Sequence, residues 1–175
     1  MRQRDSMEMS DCEFKIITAA PEHLPQILQI EREVFPDSWS ENMMRFYFAE
    51  KRAIILTAVQ TEEYSDSVAV AKNGSVLGYL MAFAVAGMCD IDNIAVSETH
   101  RRKGIAKALF NELENRLDMD MEYFLEVRTG NIPAINLYTQ LGFHFVRIRK
   151  DYYRKPMEDA VLMKKDSVFK ENVCL

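Results

Sequence analysis

Cysteine is scarce in this 175-residue chain: there are three, Cys12, Cys89 and Cys174. Their wide spacing matches no zinc pattern, and an odd count argues against a disulfide framework. Cys12 and Cys174, near the termini, read as solvated thiols, and Cys89 as a small core residue rather than a nucleophile. A reducing, cytoplasmic setting follows. Long hydrophobic runs are missing as well. The longest weakly polar stretch, from Val76 to Met88, is too short to cross a bilayer and is interrupted by Gly78. The opening residues, MRQRDSMEMSD, lack the apolar core of a signal peptide. Nor is there an excess of basic charge: 22 Lys and Arg stand against 27 Asp and Glu, a net charge of −5. That argues against bulk nucleic-acid binding and favours a cationic substrate. With 6 glycines and 5 prolines there is no Pro- or Gly-rich linker, and no internal repeat is visible. Hydrophobic (48%) and charged (28%) residues are balanced as in one globular domain with a proper core. Residues 1–13 read as a flexible N-terminal extension, 14–165 as the domain and 166–175 as a polar C-terminal tail.

Within the domain, Phe14–Thr18 reads as a first strand. Pro21 opens a helix in which Leu24, Ile27, Leu28, Val34 and Phe35 recur at helical spacing, and Pro36 ends it. Ser40 is placed to cap a second short helix. Ala53–Val59 fits a strand or a continuing helix, and Gln60–Asp66 an acidic loop. Asn73-Gly74 between the apolar runs Val68–Lys72 and Val76–Val85 is a hairpin signal. Further strands are expected at Cys89–Val96, Tyr123–Val127, Phe143–Tyr153 and Ala160–Lys164. Ile105, Leu109, Leu113 and Leu117 form one helical stripe, and Pro133 opens a last helix that Gly142 closes. Mixed strands and helices around a strand–helix–strand unit make an α/β or α+β sandwich on one sheet.

The stretch Ile91–Leu117 concentrates the chemistry: a short strand, a basic loop, one glycine, then a helix. A helix N-terminus exposes unpaired N–H groups and partial positive charge, so it binds anions. Arg101, Arg102 and Lys103 lie directly before it, and Gly104 lets the backbone approach a ligand. The loop has no Gly-Lys-Ser/Thr, so it is not a P-loop with a magnesium site, and it lacks the three glycines of a dinucleotide fingerprint. A metal-free pyrophosphate suits it; so does the bland alternative, a solvated loop capping a helix. Glu126 sits in the apolar run Phe124–Val127, where a carboxylate is costly unless paired or functional. It is a candidate general base, or else a solvated glutamate with Arg128 as same-face partner. Tyr138, in a helix, is a core aromatic on the simplest reading. His23, His100 and His144 are scattered singles. Asp90 and Asp92 bracket Ile91 on one strand face, either drawing a cation or standing solvated at a sheet edge.

These residues, taken in order, resemble the GNAT superfamily of acyl-CoA N-acyltransferases. Ile94-Ala95-Val96, then Arg101-Arg102-Lys103-Gly104-Ile105-Ala106, then Asn131 through Leu141-Gly142-Phe143 carry the resemblance, which spans 14–164. Within it the chain is similar to the RimI type, the N-terminal alanine acetyltransferases of ribosomal proteins. That likeness is carried by Phe35-Pro36, Trp39-Ser40, Leu125-Glu126-Val127-Arg128, Ala134-Ile135, Leu137-Tyr138, Tyr152-Tyr153 and Glu158-Asp159-Ala160. The resemblance implies a central mixed, mostly antiparallel sheet with helices on both faces. It implies acetyl-CoA as co-substrate and no metal. Ile94, Ala95 and Val96 would meet the acetyl-pantetheine arm, backbone amides of Arg102, Lys103, Gly104, Ile105, Ala106 and Lys107 (with Arg101 beside them) the pyrophosphate, and Asn131 the arm further along. Glu126 would be general base and Tyr138 general acid in direct attack by an amine, without a covalent enzyme intermediate. The implied acceptor is a protein N-terminus, an N-terminal alanine of a small-subunit ribosomal protein, with the enzyme a monomer or weak dimer and neither nucleic acid nor membrane as partner. Acetylation of lysine, a polyamine or an aminoglycoside, and a non-catalytic CoA-binding module, are the competing readings. The chain departs from the RimI pattern between Pro36 and Trp39 and over 53–66, segments that border the acceptor site in that family.

Overall fold

Two periodicities in the sequence, two residues and about 3.6, resolve among the described residues into seven strands and four helices. The computed structural model describes residues 14–61, 74–117 and 120–167. The expected strand Val68–Lys72, Cys12, Cys174, the N-terminal extension and most of the C-terminal tail lie outside them. In order these elements are β1 (Phe14–Thr18), α1 (Leu24–Val34), α2 (Glu41–Ala49), β2 (Ala53–Gln60), β3 (Val76–Val85) and β4 (Met88–Val96). They continue as α3 (Ile105–Arg116), β5 (Glu122–Arg128), α4 (Ile132–Gln140), β6 (His144–Arg154) and β7 (Met157–Lys165). A short 3-10 turn, Pro21–His23, leads into α1.

The element ends have local causes. Phe35 is extended ahead of Pro36, which stops α1. The Ser40 hydroxyl accepts from the Met43 N–H at 3.3 Å and starts α2. Between β3 and β4, Ala86 and Gly87 both have positive φ (51° and 79°), the backbone a two-residue hairpin requires. The 53–59 segment is a strand rather than a continued helix, and the last strand starts three residues earlier than its apolar run, at Met157.

All seven strands share one sheet in the order β1-β2-β3-β4-β5-β7-β6. Every pair is antiparallel except β4–β5, whose parallel pairing needs the long crossover that α3 provides. β4 therefore lies in the middle of the sheet rather than at an edge, although Asp90 and Asp92 are both exposed on it. Each face carries its own core. On one, Leu109, Phe110 and Leu113 of α3 and Tyr138 of α4 pack on Leu80, Ile91, Leu125 and Val127. On the other, Ile27 and Ile30 of α1 and Met44 and Tyr47 of α2 pack on Tyr79, Met81 and Ala95. Burial of each large side chain contributes about 1.5–3 kcal/mol, so both helix layers are held mainly by these stripes. Cys89 is fully buried in the first core, and burial pushes its thiol up to about 12, as expected of a packing residue.

Gly78 of β3 lies against the part of β4 that matters most below. A Cβ there would stand 2.7 Å from the Ala95 carbonyl oxygen and 3.1 Å from Val96 Cγ2. Gly78→Ala is therefore expected to cost about 1–3 kcal/mol, read by urea unfolding, and to raise the KM for acetyl-CoA by displacing 95–96. An unchanged midpoint and KM would show that the β3–β4 approach is not tight.

Candidate active site

The parallel pairing of β4 with β5 is short. It joins Met88–Ile91 to Glu122–Leu125 and stops there. The reason is a bulge: Ile91 faces Ala82 and Asn93 faces Met81 on β3, which leaves Asp92 without a ladder partner. A bulge bends its strand and strengthens the twist, so β4 turns away from β5 beyond this point. Ile94, Ala95 and Val96 keep Leu80, Tyr79 and Gly78 on their β3 side. Glu126, Val127 and Arg128 keep Leu162, Val161 and Ala160 on their β7 side. The edges that the two strands turn toward each other carry no ladder. Such backbone groups can hydrogen-bond an extended polar chain laid between them.

At the C-terminal end of β4 the chain turns into α3 through a basic loop. Arg102 and Gly104 both have positive φ, 63° and 79°, and Gly104 is the helix N-cap. A Cβ on Gly104 would meet nothing within 4 Å, so the conformation, not crowding by the protein, calls for glycine, and the space above it is open. The first turn of α3 carries no acidic residue, and its N–H groups at Ile105, Ala106 and Lys107 are those an α-helix leaves without partners. Arg101 turns back onto the strand, its Nε 3.4 Å from the Val96 oxygen and its guanidinium 3.5 Å from Glu98. Arg102, Lys103 and Lys107 are exposed and make no ion pair among the described residues. This cradle of free N–H groups and lysine and arginine side chains fits a pyrophosphate.

Glu126 and Tyr138 lie on opposite sides of the sheet. Burial alternates along β5, with Tyr123, Leu125 and Val127 facing the α3–α4 core and Glu126 facing the other way. Its partner is not Arg128, as same-face spacing suggests, but Arg149 of β6, at 2.5 Å. Arg128 is taken instead by Glu158 at 3.1 Å and by the carbonyls of Lys155 and Pro156. Arg149 also stacks over the Tyr152 ring at 4.6 Å, and the Tyr153 hydroxyl donates to the Glu126 carbonyl at 3.2 Å. Tyr138 is buried in the α3–α4 core against Phe143, 5.9 Å between ring centres. Burial pushes its hydroxyl up to about 12, so it keeps its proton through the neutral range. Asn131 caps α4, its Oδ1 accepting from the Ala134 N–H at 3.3 Å.

The face that Glu126 shares holds residues the sequence reading passed over. Glu31 of α1 is almost fully buried, a carboxylate among apolar neighbours. Its Oε1 accepts from the Trp39 backbone N–H at 2.8 Å, and its Oε2 from the Tyr79 hydroxyl and, at 3.3 Å, from Asn93 Nδ2. Burial raises its carboxyl above the ordinary range, partly offset by those three donors. It clamps the α1–α2 connection onto β3 and β4 beside the bulge. The signal was available: position 31 continues the apolar stripe of Ile27 and Leu28 at helical spacing, and there a glutamate is out of place. Next to it, Tyr47 of α2 packs on Trp39 and Phe83 and donates to Asp92 at 2.5 Å. A separate recess of about 510 Å³, between α1 and the turn after β4, holds none of the candidate catalytic residues.

Comparison with known proteins bears on the family and the fold. The profile of the Acetyltransferase (GNAT) family matches residues 24–143. The chain is 34% identical to an N-alpha-acetyltransferase of Saccharolobus solfataricus, over 86% of this chain and 92% of that one. It is 31% identical to the ribosomal protein bS18-alanine N-acetyltransferase of Escherichia coli, over 80% and 88% of the two chains. The crystal structure of the ribosomal-protein-S18-alanine N-acetyltransferase from Escherichia coli superposes with a TM-score of 0.74 at 27% identity, over 93% of this chain and all of that one.

Proposed function

Because the chain belongs to the Acetyltransferase (GNAT) family, we propose that it transfers an acetyl group from acetyl-CoA to the α-amino group of a protein N-terminus, an alanine of a small-subunit ribosomal protein being the acceptor. The observation that supports this reading is the end of the β4–β5 ladder after Ile91 and Leu125, with Glu126 on one face of the sheet and Tyr138 in the core on the other. Addition of the amine to the thioester carbonyl and expulsion of the thiolate from the tetrahedral intermediate would then draw a proton acceptor and a hydrogen-bond donor from different sides of the sheet. Both relatives' names support an α-amine, and one of them supports the ribosomal protein. A cytoplasmic setting goes with this reading.

Acetyl-CoA supplies the activated thioester. Residues 102–107 hold its pyrophosphate and Asn131 its arm, while the free edge at Ile94–Val96 aligns the acetyl end. A strand N–H near Val96 stabilises the developing oxyanion, an effect worth about 3 kcal/mol in comparable sites. Glu126 accepts the ammonium proton, directly or through water. A peptide α-amine has a pKa of about 7.7–8, against about 10.4 for lysine, so deprotonation at pH of about 7 costs about 1 kcal/mol for the first and about 5 for the second. One carboxylate suffices for an α-amine. Tyr138, held at about 12, is a weak full proton donor to a thiolate whose ordinary pKa is about 8.5, so it acts mainly as a hydrogen-bond donor to the leaving sulfur. Tyr138→Phe is accordingly expected to lower kcat about tenfold while leaving the Kd for acetyl-CoA unchanged. A large loss of affinity by calorimetry would make this tyrosine structural.

The test of the acceptor is CoA release with a basic peptide beginning with alanine, the same peptide Nα-blocked with an internal lysine, and spermidine. Turnover is expected only with the free α-amine. Preference for lysine or the polyamine would overturn the reading.

A further inference from the structure

Asp92 is the bulge residue of β4, and it follows the last pair, Ile91 with Leu125, that joins β4 to β5. Glu126 follows the same pair on β5, so the two carboxylates stand at matching positions where the strands part. Both belong to the face covered by α1 and α2, as the Tyr47–Asp92 hydrogen bond fixes for Asp92. Their compensation differs. Glu126 is neutralised by Arg149. Asp92 makes no ion pair among the described residues and has only the neutral Tyr47 hydroxyl as donor. The charges that act on it, Asp90 and Glu126, carry its own sign, and the Tyr152 hydroxyl feels both Glu126 and Asp92. Asp92 keeps access to solvent, yet the surrounding protein desolvates it enough to raise its carboxyl above the ordinary range. A carboxylate that is exposed where two strands stop pairing, partly stripped of water and left without an ion-pair partner among the described residues is a site prepared for a cation.

We propose that Asp92 is the ammonium-binding residue of the acceptor site: it receives the substrate's charged α-amino group and places it beside Glu126, which is then freed from Arg149 to take the proton. The proposal rests on the α-amine reading above and adds to it a second anionic residue, one that discriminates for acceptors arriving as cations. The carboxylate is supplied by the bulge. Asp92 takes the opposite side from Ile91, as in a regular strand, but the extra residue leaves it without a partner on β3, beside the gap. Tyr47 orients it from α2, and Trp39 and Phe83, against which Tyr47 packs, hold that phenol in place.

The test uses the full-length enzyme saturated with CoA, so that no turnover occurs, and two peptides. One is a basic peptide beginning with alanine; the other is identical except that hydrogen replaces the α-amino group. By calorimetry the wild-type enzyme is expected to bind the ammonium peptide about tenfold more tightly than its des-amino analogue. Asp92→Asn, which keeps the shape and can still accept from Tyr47, is expected to bring the two affinities within a factor of two. Tyr47→Phe keeps the charge and is expected to keep the preference. Survival of the preference in Asp92→Asn overturns the proposal while leaving the α-amine reading intact. Equal loss in Tyr47→Phe also overturns it, showing that the tie to α2 matters rather than the charge. A wild-type enzyme that neither binds nor acetylates the peptide overturns the acceptor reading and this proposal with it.

Discussion

Glu126→Gln is expected to lower kcat by about 10²–10³-fold with little change in the KM for acetyl-CoA. General-base catalysis by a positioned carboxylate contributes about 10²–10⁴-fold, and the amide cannot take a proton at neutral pH. The cofactor side should be indifferent, because Glu126 lies across β5 from the α3–α4 core and apart from the loop at 101–104. The substitution also leaves Arg149 without its carboxylate, and the guanidinium still has the Tyr152 ring to stack on. Steady-state kinetics with an alanine-starting peptide and single-turnover chemistry together separate the base from product release. A variant within threefold of wild type would show that water or Asp92 accepts the proton instead.

Removing Glu31 is expected to cause the largest loss of stability among these substitutions. Glu31→Ala leaves the Trp39 N–H and the Tyr79 hydroxyl without their acceptor, at about 1–3 kcal/mol each, and opens a cavity under α1. A total of about 3 kcal/mol or more by urea unfolding follows, together with a raised KM for peptide as the α1–α2 connection loses its clamp. A change under 1 kcal/mol would mean that water replaces the carboxylate at no cost.

Glu31 also gives the fold a pH signature. Burial raises its carboxyl in the folded state from the ordinary value of 4.5, so the folded protein binds that proton more tightly than the unfolded chain. Ionised Glu31 thus weighs against folding above the raised value, and the penalty lifts as the pH falls through that value toward 4.5. Glu158 and Asp159 act in the opposite direction. The Gly130 N–H holds Glu158 below the carboxylate range, and Lys150 does the same for Asp159, so their contributions fade in acid. The wild-type protein minus Glu31→Gln isolates the first effect. That difference should favour the wild type increasingly as the pH drops toward 4.5, and a flat difference would place the Glu31 carboxyl in the ordinary range.

Much of the architecture was legible from adjacent residues. The alternation of β5, the Ser40 cap, the stop at Pro36 and the helix entry at Gly104 are local events, each decided within a turn or a few residues. Glu126 stood out because a carboxylate inside an apolar strand is anomalous by itself. Glu31 had the same kind of signal on a helix, but a single polar residue in a helical stripe reads equally well as its solvated flank until the packing is seen.

The partners could not be read in this way. Arg149 is 23 residues from Glu126 in sequence, Tyr47 is 45 from Asp92, and Asn93 is 62 from Glu31. Which of several arginines meets Glu126 depends on the β5–β7–β6 order, and no local pattern encodes it. The β4 bulge is likewise a matter of register: one extra residue against β3 decides that the strands separate after Ile91 and that Asp92 faces the gap. The sequence by itself determined most of the elements, the basic turn onto α3 and the anomaly of Glu126, because spacing and residue chemistry are local, whereas Tyr138 became a candidate only through the family resemblance. Tertiary structure decided that those side chains lie on opposite faces of one sheet, and which of Glu126 and Asp92 has an ion-pair partner among the described residues, because both depend on how distant strands align.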